Sequence, residues 1–317
     1  MFDFIENFSS FLIFDLAGIS RSHFGEALNF FVYDTIKILL LLVVITHLMS
    51  FINIYFPTKK VKEFLTKNKL FGLEYFFASL FGAITPFCTC SSIPLFIGFL
   101  RAGIPLGVTF AFLITSPLVN EVAIAMLLGC FGLKVTMIYV VSGMLLGIIG
   151  GFILGKMNLE KYLKDIVKEE KIPCGCKKEK CKSIFVQISK EAFKITFSLM
   201  PYIALGVGVG AIIHGYVPAG FFEVYISKNN IFAVPVAVIL GIPMYANASS
   251  VVPIIQSLVD KGIPLGTALA FMMATVGLSL PEFLILKKVM QVKLLFIFFG
   301  LIGFFMIILG YLFNLVF

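Results

Sequence analysis

The chain has 317 residues, 60% hydrophobic and only 13% charged, with 37 phenylalanines and a net charge of +8 at neutral pH. A mean hydropathy of +1.04 excludes an ordinary soluble domain, because apolar runs of about 20 residues, the length a helix needs to cross a bilayer, recur from residue 35 to the C-terminus. The positive charge lies mostly in three segments beside those runs, which makes it a signal of membrane orientation and not of a nucleic-acid partner.

Residues 1–34 carry five acids against Arg21 and lack the basic start of a cleaved signal peptide, so they are expected to form an interfacial segment outside the membrane. Residues 35–155 form a first transmembrane unit, 156–183 a basic cysteine-containing loop, and 184–317 a second transmembrane unit. Loop 56–69 has five lysines against Glu63, loop 156–183 has nine lysines against five acids, and 287–293 reads KKVMQVK. All three belong in the cytoplasm by their charge, whereas the nearly neutral loop 215–230 belongs outside.

Those assignments constrain the crossings. Segments 71–100, 105–130 and 134–155 lie between the first two basic loops, and three crossings would put loop 156–183 on the wrong side. The conflict disappears if 71–100, broken at TPFCTCSSIP, enters and leaves on one side as a re-entrant helical hairpin. The same reasoning makes 231–258, broken at GIPMYANASSVVP, re-entrant between the spans 187–214 and 264–286. Eight simple transmembrane helices are the alternative.

The two broken segments are copies. At an offset of 159, Pro94 matches Pro253, the pentapeptide Gly103 to Gly107 matches Gly262 to Gly266, and Ala111 and Phe112 match Ala270 and Phe271, giving eight identities in the 19 positions from 94 to 112. With the charge pattern, this predicts an all-α polytopic fold with an inverted-topology internal repeat, each half having three spans plus a broken hairpin.

The motifs TPFCTCSSIPLFIGFLRAGIPLG, TSPLVNE, GIPMYANASSVVP and GLSLPEFLILKKV resemble the bacterial permease family that includes the organoarsenical efflux permease ArsP and related copper/zinc exporters, over residues 35–317. The resemblance implies a multi-pass permease of the bacterial inner membrane and, in the ArsP branch, extrusion of trivalent organoarsenicals such as methylarsenite. It implies a transporter and not an enzyme, with no cofactor.

Cys88 and Cys90 lie two apart at the first hairpin break, and soft trivalent arsenic or copper binds thiolates. Buried packing is the competing role for such cysteines. The second repeat has Asn247 and Ser249 in their places, so a thiol site is one-sided. Ser91, Ser92, Asn247, Ser249 and Ser250 are candidates to line a polar cavity, although membrane serines also bond back to their own helix. Glu121, beside Asn120, and Glu282 are the acids best placed within spans, and an intramembrane carboxylate is by default a proton or cation site. Glu282 also stands close to Lys287 and Lys288, which would suit an interfacial position.

Cys174, Cys176 and Cys181 could hand a soft metal or arsenical to the permease, or belong to a solvated basic loop. Proton antiport is the expected energy source; the sequence contains no G-x4-G-K-[ST], which leaves a separate partner ATPase as the alternative. Efflux of copper or zinc is the neighbouring function. A membrane thiol oxidoreductase is a different class, disfavoured by the absence of C-x-x-C, and a purely structural subunit is disfavoured by the duplicated broken helices.

Overall fold

The computed structural model describes residues 3–55, 72–85, 89–164, 232–244, 248–260 and 262–317 with a few positions between 197 and 211; at 3, 23, 41–42, 44–55, 89–91 and 249–250 it describes the backbone alone. Among the described residues the fold is a multi-span helical bundle without a sheet. Among the described residues three helical stretches are long and apolar enough to cross a membrane, Glu121–Lys156, Leu265–Val289 and Val292–Val316.

Helix α1 (Asp3–Ser10) continues into a π-helical turn, Phe11–Leu16, and folds back on α2 (His23–Tyr55), where the Ser9 hydroxyl donates to the Asn29 carbonyl at 3.1 Å. Phe4, Phe8 and Phe11 stay exposed. Helices α3 (Leu73–Ile84) and α4 (Thr89–Arg101) follow, then α5 (Leu106–Leu118) and α6 (Glu121–Lys156), which is two helices joined at a kink where Gly132 has the non-helical angles φ 79°, ψ 176°. The second half repeats the series as α7 (Ala233–Gly241), α8 (Ala248–Asp260), α9 (Leu265–Gly277), α10 (Leu280–Val289) and α11 (Val292–Val316). At 1.5 Å per residue, α3 and α4 are each about 18–20 Å long, well short of a hydrocarbon core of about 30 Å.

The local geometry repeats with the sequence. Both α4 and α8 contain a proline, Pro94 and Pro253. Both end in a left-handed glycine, Gly103 at φ 81° and Gly262 at φ 91°. The next proline then starts the following helix with nearly the same angles, Pro105 at φ −55°, ψ 139° and Pro264 at φ −57°, ψ 134°. A side chain at the two glycines would be strained, which explains why the GIPLG turn is the best-kept part of the repeat.

Helix α5 is buried along its whole length and α9 from Gly266 onward, so these two form the centre. Apolar all round, they suit a buried position, and the Thr109 and Thr275 hydroxyls are spent on the Pro105 and Phe271 carbonyls one turn back. Close approach depends on small residues, the usual means of helix association in lipid. A β-carbon on Gly107 would stand 2.6 Å from the Gly151 carbonyl oxygen, and Gly266 meets Gly310 and Asn314 in the equivalent place.

These contacts fix the directions of the helices. The start of α5 faces the end of α6, so those two are antiparallel, as are α9 and α11. Along α5 and α11, by contrast, Phe110 stacks on Phe298 at 5.2 Å, Ile114 and Ile302 meet over Gly150, and Leu118 and Met306 meet over Gly277. Each step is four residues on both helices, so α5 and α11 are parallel. The equivalent helices α5 and α9 therefore run in opposite directions.

Two basic segments come together at one end. Leu163 and Met290 form an antiparallel bridge, flanked by Lys164 N–H to the Val289 carbonyl and Gln291 N–H to the Tyr162 carbonyl, both 2.9 Å. The Lys164 ammonium donates to the Lys287 carbonyl at 2.6 Å. The lysine-rich ends at 156–164 and 287–293 are thus joined, while loop 56–69, expected on the same side, lies outside the described residues.

Candidate functional site

Among the described residues two breaks in regular helix, at Val119–Asn120 and Leu278–Ser279, divide α5 from α6 and α9 from α10. The Ser92 and Ser116 hydroxyls, 2.8 Å apart, tie α4 to the end of α5. The Leu280 N–H donates to the Ile242 carbonyl at 2.9 Å and ties the end of α7 to the second break. Leu118 and Gly277, the last helical residues before the two breaks, touch each other. Interrupted backbone at this depth needs protein or a water-lined cavity to satisfy it.

The first break is closed by Asn120. Its side-chain oxygen accepts from Ala123 N–H at 2.8 Å, capping α6, and its amide donates to the Pro117 carbonyl at 3.1 Å. Glu121 follows as the first residue of α6, with its side chain exposed. At the second break Ser279 precedes α10, and Glu282 sits in its first turn.

Glu282 is 1% exposed, and among the described residues neither carboxylate oxygen has a hydrogen-bond partner. Proximity to Lys287 and Lys288 does not bring it to the surface: Met290, at the lysine-rich end, is eight residues farther along, about 12 Å at helical rise. An ionised carboxylate costs several kcal/mol at such a place unless paired, so it needs a reason.

Ser92 is fully buried and spent on Ser116. Cys90 and Ser91 lie on the backbone of the first turn of α4, and Ser249 and Ser250 on that of α8, at matching positions. Cys88, Asn247 and the loop cysteines Cys174, Cys176 and Cys181 lie outside the described residues. Among those that are described, no group of three or more His, Cys, Asp or Glu is placed to hold a metal ion.

Sequence reading missed a second hydroxyl pair. Ser79 and Thr115 are 2.9 Å apart, with Ser79 also donating to the Met144 carbonyl at 3.2 Å. In the second half the positions of Ser79, Ser92 and Thr115 are Val238, Val251 and Ala274. The one-sidedness seen in the cysteines therefore extends into the buried hydroxyls. The repeat alignment held that signal, because each is a polar residue facing an apolar equivalent.

Central helices broken in mid-course, inside a multi-span apolar bundle, are an architecture that membrane transporters use. The chain belongs to the ArsP_1 family, described as predicted permeases, whose model matches residues 23–315. It is 29% identical to UPF0718 protein MJ0584 of Methanocaldococcus jannaschii over 127 residues, 40% of this chain and 35% of that one. It is 26% identical over 204 residues to a Streptococcus mutans protein whose name marks it as a candidate subunit of a two-component membrane permease complex, covering 61% of this chain and 64% of that one. UPF0718 protein YcgR of Bacillus subtilis is 23% identical over 129 residues, 41% of this chain and 43% of its own length. The chain thus spans less than two thirds of the length of each of these relatives. No solved structure matches it.

Proposed function

We infer that the protein is an inverted-repeat permease of the bacterial inner membrane that exports trivalent organoarsenicals such as methylarsenite, driven by protons. The observation that carries this reading is the meeting of Leu118 and Gly277, because equivalent, oppositely directed helices that end against each other make a two-sided centre. Helices α3, α4, α7 and α8, each too short to cross, supply the re-entrant hairpins. The paired basic ends joined through Leu163 and Met290 support one cytoplasmic side for both.

Cys88 and Cys90 take the two exchangeable positions of a monomethyl As(III) species, and Ser91, Ser92, Asn247, Ser249 and Ser250 line the polar part of the same cavity. Cys174, Cys176 and Cys181 deliver cargo from the cytoplasm. Glu282 carries the coupling proton: its buried oxygens lack partners among the described residues, and Leu280, two residues earlier, anchors the end of α7. Glu121 has the accessory place, at the mouth of the first break, and Asn120 holds that break in shape. Rocking of one half against the other exposes the site to each side in turn.

Everted vesicles test the reading. Uptake of methylarsenite on imposing a proton gradient, lost in Cys88→Ser/Cys90→Ser, is the expected result. Uptake of Cu(I) or Zn(II) without methylarsenite would replace the substrate by a soft metal ion, and unaltered uptake in the double variant would remove the thiols from the site.

A further inference from the structure

Tyr162, at the junction between the two halves, is flanked by two ammonium groups. Lys161 Nζ lies 5.1 Å and Lys293 Nζ 5.3 Å from the centre of its ring. Like charges gathered on one ring repel each other unless a negative group stands among them. The hydrogen bond from Lys293, followed by the charges of Lys161 and Lys293, lowers the Tyr162 phenol below its ordinary pKa, so this surface draws negative charge. The side chains of Lys161 and Lys293 are exposed.

The level of these ammonium groups along α11 identifies the anion. Lys293 is the second residue of the membrane-crossing helix α11, which places its ammonium at headgroup level. Below it the same face of α11 continues through Phe296, Gly300 and Phe304, at helical spacings of three, four and four. Phe296 is 66% and Phe304 58% exposed, and nothing lies within 4 Å of the place a β-carbon on Gly300 would take. A cationic cup thus opens onto an apolar track with a gap between two aromatic rings.

We propose that this surface binds one anionic phospholipid, its phosphate between Lys161, Tyr162 and Lys293 and an acyl chain along Phe296, Gly300 and Phe304. A zwitterionic headgroup would bring its own cation against the lysines and bind less well. The bound lipid rests on the clasp between the halves, because the Tyr162 carbonyl accepts from Gln291 N–H at the start of α11. The inference requires the membrane placement of α11 and is independent of the transported substrate.

Purified full-length protein in detergent, titrated with phosphatidylglycerol or phosphatidylcholine and followed by native mass spectrometry and thermal unfolding, tests it. Phosphatidylglycerol is expected to bind more tightly and to raise the unfolding temperature more. In Lys161→Gln/Lys293→Gln its affinity falls roughly thirtyfold, as removal of two lysines near a lipid phosphate predicts, with Lys293→Gln alone intermediate. Lys134→Gln, at the opposite end beside Phe317, retains the preference. Equal affinity for the two lipids, or a preference undiminished in a double variant that unfolds normally in phosphatidylcholine, overturns the proposal. Inorganic phosphate reproducing the thermal shift also overturns it, since a headgroup without a chain would then suffice.

Discussion

Leu118 and Gly277 are equivalent residues of the two halves, 159 positions apart, and they pack on each other, with the Leu118 Cδ2 atom 2.7 Å from the place a β-carbon on Gly277 would occupy. A residue that touches its own counterpart lies on the axis relating the halves. In the proposed inverted repeat, the place where both broken spans end is therefore shared between the halves and belongs to neither.

That contact can be titrated by size. Gly277→Ala meets the flexible end of Leu118, whereas Gly107→Ala meets the Gly151 carbonyl and the Gly155 backbone, which cannot move aside. Gly107→Ala is expected to destabilise by about 1–3 kcal/mol, and Gly277→Ala by less. Thermal unfolding in detergent checks the order; the reverse order would mean that the α5–α6 contact is looser than the structure shows.

Glu282→Gln preserves the shape of the buried side chain but removes its ionisation. The expected outcome is normal folding and substrate binding with uptake no longer responsive to a proton gradient, measured in vesicles at fixed substrate. Glu121→Gln, on an exposed side chain, should reduce the response less. Proton-driven uptake at wild-type rate in Glu282→Gln would take the carboxyl out of the coupling step.

Asn120 has a structural signature that separates capping from coupling. Asn120→Ala removes the acceptor for Ala123 N–H and leaves the Pro117 carbonyl without its donor, at a cost of about 1 kcal/mol. Asn120→Asp keeps the acceptor and should recover part of it. Both should leave the pH dependence of transport in place, and a shifted pH profile in Asn120→Ala would show a direct part in proton transfer.

The clasp at the basic end is open to cross-linking. Leu163 and Met290 are bridge partners, and directly opposed residues of an antiparallel pair lie within the span of a disulfide. Leu163→Cys/Met290→Cys, in a background lacking the native cysteines apart from Cys88 and Cys90, should lose transport on oxidation and regain it with dithiothreitol. Undiminished transport in the oxidised protein would show that this end stays shut throughout the cycle.

How much of this was legible in sequence differs from residue to residue. The helix ends at Arg101 and Asp260 and the turns at Gly103 and Gly262 could be read because a left-handed glycine followed by proline is a local, covalent signal. The lysine-rich segments were legible as a shared side because charge at a membrane end is also local. The break at Val119–Asn120 was not, although Pro117 stands beside it, because proline alone does not separate a kink from a stop. Sequence reading offered Glu282 both as an intramembrane carboxylate and, by its closeness to Lys287, as an interfacial one; its burial depends on packing that no single segment encodes. The pairing of Ser79 with Thr115 and of Ser92 with Ser116 likewise required the hairpin to be placed against α5.

Side-specific cysteine labelling tests most directly the claim that two oppositely directed halves open their hairpins to opposite faces of the membrane. In a variant with the native cysteines replaced by serine, Ala102→Cys, at the end of the first hairpin, and Lys261→Cys, at the equivalent place in the second, are exposed in turn to a membrane-impermeant maleimide in intact cells and in everted vesicles. Labelling of Ala102→Cys only from the cytoplasmic face and of Lys261→Cys only from the outer face is the predicted result. Labelling of both from the same face would contradict it.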